Sequence, residues 1–149
     1  SRVGVGVSGW KGRGAVLAME AALADAGITY KDVDYVNTHG TSTAENDSIE
    51  TKAAKAVFKE RAKDVPLSSI KSLMGHLIGA AGAAEIIMSV MAIRENTIPP
   101  TANLNDADPA LDLDYVPNIP RKTAVNTVMK ESFGFGGQNN VVIIRRYSA

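Results

Sequence analysis

The chain contains no cysteine, which excludes disulfides, thiolate metal ligands and a cysteine nucleophile of its own. Histidine is nearly as scarce, with only His39 and His76 present. Without an H-E-x-x-H pattern or a cysteine to join them, no metal site is expected. Net charge is also absent, since 16 basic side chains balance 16 acidic ones. A neutral chain with no basic block lacks the electrostatic footprint of a nucleic-acid binder. The longest apolar stretch, residues 77–93, is interrupted by Glu85 and falls short of the ~20 residues a membrane span needs. It reads as a buried helix. Residues 1–6 show no basic region leading into an apolar run, so no signal peptide is expected and the location reads as cytoplasmic. Ser1 stands where an initiator methionine would, which marks the chain as processed, tagged or a fragment.

What is present suits one ordinary globular domain. The 149 residues are 45% hydrophobic and 21% charged, enough for a true core and unlike a disordered segment. Residues 14–26 carry strong helix formers and stop at Gly27. A short strand over 34–37 opens into a polar loop over 38–43. A second helix is predicted over 47–62, with Ile49, Ala53, Ala56, Val57 and Glu60 at helical spacing. Residues 65–70 read as a strand and 71–76 as a second polar loop, followed by a helix over 78–94. Pro99-Pro100 punctuates, and 101–120 is irregular. Two β-branched strands, 124–129 and 140–146, close the chain across a glycine-rich connection. This order is an α/β pattern. The helix after His76 is apolar on nearly every side, the pattern of a helix enclosed all round. One sheet cannot enclose it, so a second layer is expected from another chain or a missing half.

Three motifs bear on chemistry. Gly4-Val5-Gly6-Val7-Ser8-Gly9 fits G-x-G-x-x-G, but too little chain precedes it for a strand and no acidic residue ends a second strand. It reads as a loop. Asn46-Asp47-Ser48 fits the glycosylation sequon and reads as incidental. The two histidines carry more information, because each sits in a glycine-containing polar loop after a predicted strand: Thr38-His39-Gly40-Thr41 and Gly75-His76-Leu77. Ligands gather at the carboxyl ends of strands in α/β sheets. If those strands are neighbours, both imidazoles and Lys71 converge on one pocket; otherwise they are two loop histidines that satisfy backbone groups. Phe133-Gly134-Phe135-Gly136-Gly137 frees backbone N–H groups for an oxyanion or an aromatic gate, or is a plain glycine-rich hairpin.

In order and spacing, these stretches resemble the C-terminal half of the β-ketoacyl synthases, the condensing enzymes of fatty-acid and polyketide synthesis. The likeness runs from about residue 14 to 147. It rests on residues 36–43 (Val-Asn-Thr-His-Gly-Thr-Ser-Thr), 69–82, 98–104, 112–117 and 132–137. The elongating subgroup is the nearer one, because the initiating type has asparagine in place of the second histidine. The resemblance implies an α/β fold, the C-terminal half of a thiolase-like fold, with a mixed sheet and helices on both faces. Residues 1–13 then form an atypical N-terminal segment and 14–149 the synthase C-terminal domain.

By the same resemblance, His39 and His76 donate hydrogen bonds to a malonyl thioester oxygen as decarboxylation leaves an enolate. Lys71 supports them, and Glu85 is a structural partner for Lys71 or nearby backbone. Thr41 and Thr43 match the threonines that hold the phosphopantetheine arm. Phe133 and Phe135 fall in the oxyanion and gate motif, the Phe135 N–H completing the oxyanion hole and its ring gating. No cofactor is implied beyond the phosphopantetheine that acyl carrier protein brings as a substrate arm. The nucleophilic cysteine would come from an N-terminal half or partner chain, so a dimer or heteromer is expected, with no nucleic-acid or membrane partner. A non-catalytic, chain-length-factor-like subunit is the alternative. Glu131 departs from the asparagine usual before Ser-Phe-Gly-Phe, and Gln138 from the small residue or histidine usual after Gly137.

Overall fold

The computed structural model describes residues 12–134 and 136–147. The Gly4–Gly9 motif and Phe135 lie outside the described residues. Helix α1 (Arg13–Asp25) buries Ala15, Met19 and Leu23, one side chain per turn. It ends where the Ile28 N–H returns to the Leu23 carbonyl (3.0 Å) and the Gly27 N–H to that of Ala24 (3.1 Å). Gly27 takes φ +64° to close this turn, a conformation glycine adopts without steric cost.

Strand β1 (Tyr35–Asn37) follows, then α2 (Ala44–Phe58). The Thr43 hydroxyl accepts the Asn46 N–H at 3.4 Å and starts α2 three residues earlier than the sequence pattern placed it. The buried stripe of α2 is Glu50, Ala53, Ala54, Val57 and Phe58, with Thr51. Of the predicted stripe, Ala53 and Val57 are buried, whereas Ala56 and Glu60 face solvent. Strand β2 shrinks to Leu67–Ser68, and residues 71–74, predicted as loop, form the single turn α3 (Lys71–Met74). A 3₁₀ turn over Ile78–Ala80 leads into α4 (Ala81–Glu95). Strands β3 (Thr97–Ile98) and β4 (Arg121–Lys122) pair as a small antiparallel ribbon. The final strands are longer than predicted, β5 spanning Thr127–Gly134 and β6 Gln138–Arg145. Ser132, Phe133 and Gly134 are therefore strand, not connection, because each pairs across to β6.

The main sheet runs β2-β1-β5-β6. β1 is parallel to β2 and to β5, while β6 returns antiparallel. Alternation along β5 separates its two faces. Met129 packs with α1 and α2 residues such as Met19, Leu23, Val57 and Phe58. Val128 packs on the other face with Ala92 and Ile93 of α4. The architecture is a mixed α/β sheet with helices on both faces, as the sequence reading expects.

Helix α4 is inverted relative to an ordinary surface helix. Its inward residues, Ala81, Glu85, Ser89 and Ala92, are small or polar, with Ile93 beside them. Its bulky apolar residues face out, Ile87 being 62% exposed and Ile78 in the preceding turn 81%. Leu73, Met74, Leu77, Ile86, Val90 and Met91 are exposed as well. Enclosure on every side, expected from composition, is thus half achieved within this chain.

Candidate active site

β1 and β2 are adjacent and parallel, so their carboxyl ends open on one edge of the sheet. His39 follows β1 by two residues, and Lys71 and His76 follow β2 through α3. The two imidazoles meet, the His39 and His76 rings standing edge to face at 87°, centroids 5.7 Å apart. The Phe133 ring lies 6.1 Å from His39. Beside them a cavity of about 300 Å3 is lined by Thr38, Thr41, Ser69, Lys71, His76 and Tyr115, among others. Of the three side chains expected to share one pocket, only Lys71 and His76 line this cavity, and His39 does not.

His39 is half-buried and His76 exposed. Burial, then the positive Lys71, lowers the His39 pKa to about 4, so its ring is neutral at pH 7 and has one N–H to donate. The His76 Nδ1 accepts the Ile78 N–H at 3.0 Å. A neutral His76 therefore carries its proton on Nε2, available to an incoming oxygen.

Backbone clamps hold the His39 loop. The Glu50 carboxylate accepts the His39 N–H (2.7 Å) on Oε1 and the Gly40 N–H (2.8 Å) on Oε2. Asn46 Nδ2 donates to the same Oε2 at 2.6 Å. On the other side the Ser69 hydroxyl donates to the Gly40 carbonyl at 2.7 Å. Gly40 has φ +42°, and a Cβ there would collide with Ser69, whose Oγ would lie 2.6 Å away. Only glycine fits.

A charged triad lies beneath. Lys71 Nζ bonds Glu85 Oε1, and Lys130 Nζ lies 2.6 Å from Glu85 Oε2. All three side chains are buried. Asn37 Nδ2 donates to the Glu85 carbonyl and to Ser89 Oγ, each at 3.0 Å, fixing this turn of α4 to β1. Glu85 is thus placed as the partner of Lys71. Thr41 lines the cavity, whereas Thr43 caps α2 and lies 3.2 Å from the Thr41 hydroxyl. Gln138 opens β6 opposite Gly134, exposed.

Sequence reasoning missed Glu50 and Lys130. The signal for Glu50 was its helical spacing from Ala53, Ala54 and Val57, which puts it on the buried face one residue beside Ile49. Lys130 lies just past the predicted end of its strand and beside the charged Glu131, so no sequence signal marked it. Among the described residues no cluster of three or more histidine or acidic side chains is arranged to hold a metal ion. None of the described helices is long and apolar enough to cross a membrane.

Residues 4–105 match the family described as "Beta-ketoacyl synthase, C-terminal domain". Among curated proteins, 3-oxoacyl-[acyl-carrier-protein] synthase 2 of Coxiella burnetii is 49% identical over 133 residues, 89% of this chain and 32% of that protein. Nodulation protein E of Rhizobium meliloti is 50% identical over 129 residues, 87% of this chain and 32% of that one. Among solved structures, a β-ketoacyl synthase from Burkholderia phymatum superposes with a TM-score of 0.89 at 37% identity, covering 99% of this chain and 36% of that one. A type II polyketide ketosynthase, solved with its acyl-carrier protein, gives 0.87 at 38% identity, covering 89% and 33%. The chain spans about a third of the length of the curated relatives it matches.

Proposed function

The chain belongs to the β-ketoacyl synthase C-terminal domain family, and from that premise we propose that it supplies the enolate-stabilising half of a decarboxylative condensing enzyme. The observation that carries this reading is the perpendicular His39–His76 pair, whose His76 lines the cavity together with Lys71. In the reaction, the malonyl thioester breaks its bond to the carboxylate and releases carbon dioxide. The electron pair left behind delocalises onto the thioester oxygen. The two imidazoles supply N–H donors there, each such donor being worth ~2.7–4 kcal/mol in a preorganised site. The enolate carbon then attacks an acyl thioester held on a cysteine, and the cysteine sulfur leaves with the electron pair.

That cysteine is not in this chain, so a cysteine-bearing half or partner chain must provide it. The apolar surface of Ile78, Ile87, Val90 and Met91 supports a docked partner, since patches of that kind mark association sites. Acyl carrier protein delivers the substrates on a phosphopantetheine arm, with Thr41 and Thr43 at the loop that receives it and Phe133 and Phe135 in the gate motif. Lys71 holds its charge near both histidines through Glu85, and the assembly works in the cytoplasm.

The test combines the chain with a cysteine-bearing synthase half, an acyl donor and malonyl-carrier protein, and measures carbon–carbon bond formation. His39→Ala and His76→Ala should each lower turnover by about 100–1000-fold. A second reading, a chain-length-factor-like partner, draws on a structural neighbour described as a ketosynthase/chain length factor. Unchanged activity in His39→Ala would favour it. The retained His39, His76 and Lys71 favour the first.

A further inference from the structure

Strand β5 turns successive side chains to opposite faces, and at Lys130-Glu131 both are charged and both buried. Lys130 meets Glu85 of α4. Glu131 turns to the other face, the one Met129 packs on α2, where Glu50 is buried too and the two carboxyls interact. Two carboxylates in contact inside a protein do not both ionise, so one carries a proton. The donors decide which. Glu50 accepts N–H bonds from His39, Gly40 and Asn46 across both of its oxygens, and every one of them favours its ionised form. The proton therefore belongs to Glu131.

We propose that Glu131 is a positioning residue that, as a neutral carboxylic acid, donates its O–H to Glu50 and so holds the clamp that sets His39 opposite His76. The consequence of the clamp for catalysis rests on the function proposed above; the proton and the clamp do not. Glu131 fills the place that the family pattern gives to asparagine, whose amide is also a permanent donor. Burial, then the negative Glu50, raises the Glu131 pKa well above the carboxylate range. Lys130 acts against this from the same strand, and Asp47 and Tyr115 line the cavity around Glu50.

The test compares Glu131→Gln, Glu131→Ala and Glu50→Gln in the full chain. The amide introduced by Glu131→Gln keeps a donor toward Glu50. The amide introduced by Glu50→Gln must turn its NH2 against a backbone N–H, because both Glu50 oxygens accept one. Infrared difference spectra at pH 7 should show a protonated carboxyl band in the natural chain that Glu131→Gln removes. The His39 NMR titration should keep its depressed midpoint in Glu131→Gln and move toward the ordinary imidazole value of about 6.5 in the other two variants. In the assembled enzyme, Glu131→Ala should lower kcat by about 100-fold through misplacement of His39, with Glu131→Gln restoring it at unchanged KM. Absence of the carboxyl band in the folded natural chain, or a His39 midpoint displaced as far by Glu131→Gln as by Glu131→Ala, overturns the proposal. An inactive natural assembly would instead count against the condensing function, since the spectra are read on the chain alone.

Discussion

Glu85 Oε2 lies 2.6 Å from Lys130 Nζ, across the interface between the inner face of α4 and strand β5. With Lys71 on the other oxygen, one carboxylate serves two buried ammonium groups. The excess positive charge is directed toward the histidine loops, where it helps keep His39 neutral.

Removing Glu85 should be the most damaging single change in the interior. Glu85→Ala leaves two ammonium groups buried without a carboxylate, Lys130 keeping only the Ser132 hydroxyl, at a cost of about 3–5 kcal/mol. Lys130→Met keeps the Lys71–Glu85 pair and should cost less. Urea unfolding midpoints of the two variants check the order.

The His39 pKa, lowered to about 4 by burial and by Lys71, fixes a pH dependence. An unfolded chain takes up a proton at this imidazole near about pH 6.5, before the folded chain does. Stability is therefore fully present above that value and declines as pH falls toward about 4. NMR titration of His39 should show a midpoint near 4, and His39→Gln should remove this part of the decline.

Glu131 has the opposite sign. Its folded pKa is raised, so the associated stability is complete below the ordinary glutamate range and is lost as pH rises toward the folded value. Each unit of difference is worth about 1.4 kcal/mol. Glu131→Gln should gain stability over the natural chain as pH is raised from about 4.5 to about 8. Thermal unfolding across that range measures it.

Gly40 tolerates no side chain. A Cβ meets Ser69, and φ +42° strains any other residue. Gly40→Ala should displace the His39 loop and reduce activity of the assembled enzyme by about 100-fold, while far-ultraviolet circular dichroism stays close to that of the natural chain.

The outward face of α4 should govern association. Ile87 is 62% exposed, and burying such a side chain is worth about 1.5–3 kcal/mol. Ile87→Glu should weaken binding to a cysteine-bearing half by at least about tenfold in analytical ultracentrifugation, with the fold of the chain itself unaffected.

The local pattern of residues was enough to fix several features. The helix formers ending at Gly27, the polar loops after β1 and β2, and the unrelieved apolar character of α4 all follow from propensity and periodicity. Motif order carried the family likeness, and the histidine loops were legible because both follow strand ends. Tertiary structure decided what those features do. Whether the two histidine loops meet depends on β1 and β2 being neighbours, a pairing between distant segments that no local pattern specifies. The buried side of α2 was decided by its packing with α1 and β5, which turns Glu50 inward beside Ala53 and Val57. Lys130 looks like a surface charge, and Glu131 stands out only against the family pattern, until alternation along β5 sends one to Glu85 and the other to the face of Glu50. A charge is tolerated in a dry interior only when its partner is already there, and those partners come from helices far away along the chain.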